Sequence, residues 1–209
     1  MIITMETLNR FTEKGSTQLL DAPMSDGKIT LATDAKILIE VDHVVDGVTP
    51  NENYNAIFDK VKNVMAAIFD KKNTVRKFKP LPFIEKPGEC PACKTTGMIV
   101  SAKCDACDGN GEFDHDGHTY ECQSCDGRGT HHGRGEAIRC ETCNGMGYSR
   151  NEINVGRSLF DTRYLYLISE LPNATFAPDL KDVNGAAVFT FTGGRGAIMP
   201  IQQVSKVFK

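Results

Sequence analysis

The chain has 209 residues, 24 Lys+Arg against 27 Asp+Glu, a formal charge of −3 with neutral histidines, and no tryptophan. That length suffices for one or two domains with a proper core. Its longest apolar runs fall far short of the ~18 residues of a membrane span. The opening MIITMETLNRFTEKG has no long apolar stretch, which sets the expectation of a reducing cytoplasm.

Residues 5–13 read as a short helix on Met5, Leu8 and Phe11, followed by short strands over 18–20, 28–32 and 35–41. Asp26-Gly27 and Asp34 mark the turns between them. From 54 to 69 the apolar set Ile57, Phe58, Val61, Val64, Met65, Ile68, Phe69 keeps the rhythm of a core-facing helix. Residues 73–79 alternate as a strand, and Pro80, Pro82 and Pro87 then stiffen the chain. Between 60 and 79 lie Lys60, Lys62, Lys71, Lys72, Arg76, Lys77 and Lys79, opposed only by Asp59 and Asp70. Lys71, Lys72, Arg76, Lys77 and Lys79 are the candidate nucleic-acid contacts; a solvated helix face and strand edge is the plainer reading.

All eight cysteines fall next, in four CxxC pairs: Cys90/Cys93, Cys104/Cys107, Cys122/Cys125 and Cys140/Cys143. Each opens a small repeat, CPACKTTG, CDACDGNG, CQSCDGRG and CETCNGMG. Two thiolates separated by two residues bind one tetrahedral ion from a single turn, so eight make two closed four-thiolate zinc sites with none left over. A disulfide framework, a thiol redox site and an iron–sulfur cluster are the competing readings. The glycines after each pair suit a backbone that must turn under a metal; the first repeat has Thr95 in the place of one of them. His115, His118, His131 and His132 lie between the repeats, and solvated turn histidines are the simpler account because cysteines already satisfy two ions. Asp116-Gly117 is a hairpin signal.

After the repeats, 153–155 reads as a strand and 161–171 as a helix capped by Asp161 and stopped by Pro172. Residues 188–192, Gly193-Gly194 and 197–201 read as a closing hairpin. The whole predicts an α+β fold, an antiparallel sheet with helices on one face, interrupted by an inserted β-ribbon two-zinc module. The domain reading is 1–86 plus 149–209 for the α+β part and 87–148 for the insertion.

The fourfold repeat over 90–147 resembles the cysteine-rich zinc domain of DnaJ-type co-chaperones. That resemblance implies that Cys90, Cys93, Cys140 and Cys143 share one zinc and Cys104, Cys107, Cys122 and Cys125 the other. Such nesting would pin the two ends of the segment together, which suits insertion into a surface loop. The sequence has no HPD tripeptide, so stimulation of a chaperone ATPase is not expected. A second resemblance lies in the flanks. ITLATDAKILIEV is similar to the strand–turn–strand of bacterial sliding-clamp domains, with Ala35 where those have glycine, and Ile198-Met199-Pro200-Ile201 is similar to their terminal run. One clamp-like unit cannot encircle DNA alone, so that resemblance implies assembly, binding of a clamp's partners, or loss of the ring role.

Residues 90–147 hold nine acids against five bases. An acidic module is a poor nonspecific phosphate binder and favours a protein partner. No Walker phosphate loop, nucleophile elbow or His-Glu-x-x-His occurs. The expectation is a cytoplasmic, non-enzymatic protein with two zinc ions that mediates protein–protein interaction, set in DNA replication or recombination by the clamp resemblance. A protein partner is expected and a membrane is not; nucleic acid and self-assembly stay open. A chaperone-like module for unfolded chains and a thiol–disulfide oxidoreductase are the alternatives.

Overall fold

The computed structural model describes residues 2–13, 20–50, 52–71, 76–133 and 135–202. In chain order the elements are α1 (Met5–Asn9), β1 (Met24–Ser25), β2 (Thr30–Thr33), β3 (Ile37–Val41), α2 (Asn55–Phe69), β4 (Lys79–Pro80), β5 (Met98–Lys103), β6 (Glu112–His115), β7 (His118–Glu121), β8 (Thr130–His132), β9 (Glu136–Arg139), β10 (Glu152–Val155), β11 (Ser158–Asp161), α3 (Thr162–Ser169), β12 (Thr175–Ala177), β13 (Ala187–Phe191) and β14 (Gly194–Ile198). The chain divides into two compact units, Met1–Gly88 with Arg150–Lys209, and Glu89–Ser149.

The first unit, the body, is α+β. Its seven-stranded sheet has the order β1-β2-β3-β14-β13-β12-β4, every pairing antiparallel. The distant halves of the chain meet where β14 pairs with β3, Ala197 opposite Leu38. There the Arg195 Nε donates to Glu40 Oε1 at 2.8 Å across the pair. Helix α2 lays Met65 against Leu38, Ala177, Val188 and Ala197, and Phe58 against Leu20, Met24 and Leu31. Ile37, Ile39 and Val41, which alternate with Leu38, are buried as well, so both faces of β3 are covered. Asp161 caps α3, accepting from the Arg163 backbone N–H at 3.0 Å. The same carboxylate takes the buried Arg163 guanidinium at 2.6 Å, so neither buried charge lacks a partner. The Tyr164 hydroxyl donates to Asp34 Oδ2 at the β2–β3 turn, tying α3 to the sheet.

Some expected elements differ. Of the strand expected over 73–79, residues 73–75 lie outside the described residues, 76–78 are not strand, and only Lys79–Pro80 pairs, with β12. Of that expected over 18–20, only Leu20 is described, and it is not strand. The closing hairpin is tighter than expected: Phe191 pairs with Gly194, and Gly193 turns with φ +92°. Strands β1, β11 and β12 were not expected; two are only two or three residues long, too short to show a period.

The second unit, the zinc module, has two small sheets, β8-β5-β9 and the β6-β7 hairpin. Its ends are joined. Glu89 bridges Tyr148, Cys90 N–H donates to the Gly147 carbonyl at 3.0 Å, and Ser149 Oγ donates to the Glu89 carbonyl at 3.0 Å.

Candidate metal centres

Each CxxC pair sits on a tight knuckle, and the knuckles embrace in twos through reciprocal backbone bonds. Cys104 N–H donates to the Gly129 carbonyl at 2.9 Å, and Cys122 N–H to the Gly111 carbonyl at 2.8 Å. The outer pair repeats this: Cys90 N–H to Gly147, Cys140 N–H to Gly97, at 3.0 and 2.9 Å. Two knuckles so joined present four thiols to one point.

The resulting quartets are Cys90, Cys93, Cys140 and Cys143, and Cys104, Cys107, Cys122 and Cys125. Within each, all four sulfurs lie within 4.8 Å of one another. Cys90 and Cys140 are 3.8 Å apart, Cys93 and Cys143 3.6 Å, Cys104 and Cys122 3.9 Å, and Cys107 and Cys125 3.8 Å. Sulfurs placed about 2.3 Å from a tetrahedral ion are separated by about 3.8 Å, so the donor set and its spacing fit zinc. All eight cysteines are buried and none is in a disulfide. The protein therefore has two separate groups of four cysteines, each positioned to bind one metal ion, consistent with two zinc ions.

The glycines complete this geometry by being small. A Cβ on Gly111 would stand 2.2 Å from the Gly127 carbonyl oxygen, and one on Gly129 2.3 Å from that of Gly109. That close approach lets Gly111 N–H reach Cys107 Sγ and Gly129 N–H reach Cys125 Sγ, both at 3.2 Å. In the imperfect first repeat the chain makes the same turn without a glycine: Thr95 is held at φ +79°, a costly conformation for a β-branched residue.

The thiols divide within each quartet. Burial would push Cys90 and Cys104 up, but backbone N–H groups of Cys93 and Ala92, and of Ala106 and Cys107, together with neighbouring thiols, outweigh it and hold them at about 7 and about 6. Burial raises Cys125 to about 11 and Cys143 to about 12, and the crowded neighbouring sulfurs add to the rise. Four sulfurs this close resist collecting four negative charges unless a cation sits among them, and a divalent ion supplies that.

Among the described residues, no histidine joins either quartet. His115 and His118 face each other at the tip of the β6–β7 hairpin, and His115 Nε2 lies 3.4 Å from Asp116. Two residues of the basic stretch have partners within the body. Lys71 lies 3.9 Å from Asp179 and 3.8 Å from Asp182. Arg76 Nη1 donates to the Ile68 carbonyl at 2.8 Å, and its charge is felt by Asp179. Lys77 and Lys79 are exposed, and Lys72 lies outside the described residues.

Sequence reasoning missed a cavity of about 620 Å³ in the body, lined by Ile37, Leu38, Ile57, Val61, Val64 and Met199 among others. The helical stripe assigned wholly to the core is only partly there. Phe58 and Met65 are buried, Ile57, Val61 and Ile68 half-buried, and Val64 is 47% exposed. The stripe is wider than the contact α2 makes with the sheet, and its overhanging edge forms one wall of the cavity. Periodicity shows that a face is apolar; it does not show what covers it. No protein-family model matches the chain, and no curated protein matches it.

Proposed function

We propose that this is a non-enzymatic zinc-binding protein that works by holding other proteins, and that the body's apolar cavity receives an extended segment of a partner. The cavity is the observation that supports it. Its volume falls in the range of small-ligand pockets, it opens to solvent beside exposed Val64 and Met199, and its lining is apolar apart from Thr33, Lys36 and Lys60. Among the described residues, no histidine, cysteine or carboxylate lines it, so it offers adhesion rather than proton transfer. Lys36 and Lys60 favour a segment whose apolar side chains are flanked by carboxylates. A four-thiolate set leaves an ion no open position for water or substrate, which supports a structural role for both metals.

A peptide-display selection on the metal-loaded chain, counter-selected with V64D, tests this. The expected winners carry apolar or aromatic residues beside Asp or Glu, and bind V64D at least about tenfold more weakly. Winners that bind both proteins equally would sink the reading. The clamp resemblance sets such a partner in DNA replication or recombination. Direct DNA contact would fall to Lys77 and Lys79, since Lys71 and Arg76 face Asp179; a gel shift unchanged in K77E/K79E removes that role. An oxidoreductase would show reactive thiols in the native, metal-loaded protein, and a chaperone-like module would suppress aggregation of a denatured model protein.

A further inference from the structure

The β6–β7 hairpin has two unlike faces. Residues directly opposite in an antiparallel pair share a face, and the register sets Phe113 opposite Tyr120, and Glu112 opposite Glu121. On the first face the Phe113 and Tyr120 rings stack at 6.1 Å between centroids, with the His118 ring edge-on to Tyr120 at 6.5 Å. Phe113 and Tyr120 are 48% and 46% exposed. Two large stacked rings standing in water are an unusual use of apolar area in a small module. They form one wall of an open cavity of about 650 Å³ whose other lining includes Gln123, Ser124, Glu121 and Asp126.

The charged residues that line this cavity, Glu121 and Asp126, are both acidic. From residue 104 to residue 127 the chain has seven acids, Asp105, Asp108, Glu112, Asp114, Asp116, Glu121 and Asp126, and no lysine or arginine. Arg128 reaches back to Asp126 at 2.7 Å. Glu112 and Glu121 are cross-strand neighbours of like charge, an arrangement that costs stability in an isolated hairpin. A ring face attracts a guanidinium or ammonium group, whereas the surrounding carboxylates repel a phosphate backbone.

We infer that the Phe113–Tyr120 face of the zinc module binds a basic polypeptide segment, an arginine side chain stacking on the two rings while Glu121 and Asp126, which line the same cavity, neutralise it. The chemistry is that of a cationic, flexible segment of another protein, not of nucleic acid. This surface shares no residue with the body's cavity, so V64D leaves it unchanged and the two readings fail separately.

The probe is a fluorescein-labelled peptide alternating arginine and leucine, read by anisotropy with the full, metal-loaded chain. Its controls are the same peptide with citrulline for arginine and a single-stranded oligonucleotide. Arginine-peptide binding is expected to weaken with salt, to fall about tenfold in F113S/Y120S, and to survive in Y120F. E121Q/D126N is expected to weaken it similarly. Each variant is first shown to retain two metal ions, which separates lost binding from lost folding. The citrulline peptide and the oligonucleotide are expected to bind at least about tenfold more weakly. Equal affinity of wild type and F113S/Y120S for the arginine peptide, or tighter binding of the oligonucleotide than of the peptide, overturns the inference.

Discussion

The body and the zinc module bury different kinds of matter. In the body, Phe11, Phe160, Phe189, Leu165 and Ile168 are almost wholly withdrawn from water. In the module, the buried residues among those described are the eight cysteines, four glycines and Ser101, while β6 and β7 are exposed along their whole length. One unit is held by the hydrophobic effect, spread over many side chains. The other is held at two points, by bonds from sulfur to metal, with Ile99 the partly buried hydrophobic packed on the outer quartet. A core of hydrocarbon tolerates small losses; a core of two ions is present or absent.

The largest expected effect separates the units outright. A strong chelator at neutral pH removes the ions, and structural zinc sites supply about 10–16 kcal/mol of apparent folding free energy. Hydrogen exchange is expected to show 90–147 exchanging as an unfolded chain while β2, β3, β13 and β14 stay protected. Loss of protection in the body would break the comparison.

A second test inserts one methyl group into each core. A Cβ on Gly196 would stand 2.0 Å from the Phe189 ring and 2.5 Å from the Leu38 carbonyl oxygen. G196A is expected to cost the body about 3 kcal/mol in denaturant unfolding and to leave the metal content at two ions. G111A, pressed on the Gly127 carbonyl, is expected to do the reverse, releasing one ion to chelator and leaving the body's midpoint unchanged.

Acid sharpens the contrast further. Metal binding needs thiolates, and protons compete with the ion for them, so metal release and loss of the module are expected as the pH falls well below neutral, followed by elemental analysis after desalting. The body answers to carboxylates. Partial burial would raise Asp26, but the backbone N–H groups of Ile29 and Lys28, with Lys62 at 3.1 Å, hold it at about 2. A carboxylate with a depressed folded pKa contributes stability above its unfolded value, near pH 4, and loses it as the pH falls towards 2. D26N is expected to lessen the body's loss of stability over that window and no other.

The smallest effects come from two residues held in left-handed backbone. Ala35 has φ +69° in the β2–β3 turn and Thr95 φ +79° in the first knuckle. A35G is expected to raise the body's stability by about 0.5–1 kcal/mol, and T95G to slow metal loss from the outer quartet severalfold. Destabilisation by either glycine would show that the side chain contributes more than its backbone costs.

Much of this was legible beforehand because its causes are local. A CxxC pair carries its ligand geometry within four residues. The helix over 54–69 announced itself through apolar spacing, and that over 161–171 through Asp161 and Pro172. The misses share a different cause. Strands of two or three residues have no period, Arg76 and Lys71 look like free surface charge until Asp179 arrives from a hundred residues away, and Val64 looks like core until the width of the sheet is known.

The chain's own order of residues determined that eight thiols would be buried around metal and that an antiparallel α+β body would surround them in sequence, since knuckles and amphipathic stripes are properties of short segments. The tertiary structure alone decided that β14 returns to close on β3, that one edge of α2 overhangs a cavity, and that Phe113 and Tyr120 stack in the open. Each of those depends on distances between residues far apart along the chain, and such distances are settled only when the whole backbone satisfies its hydrogen bonds at once.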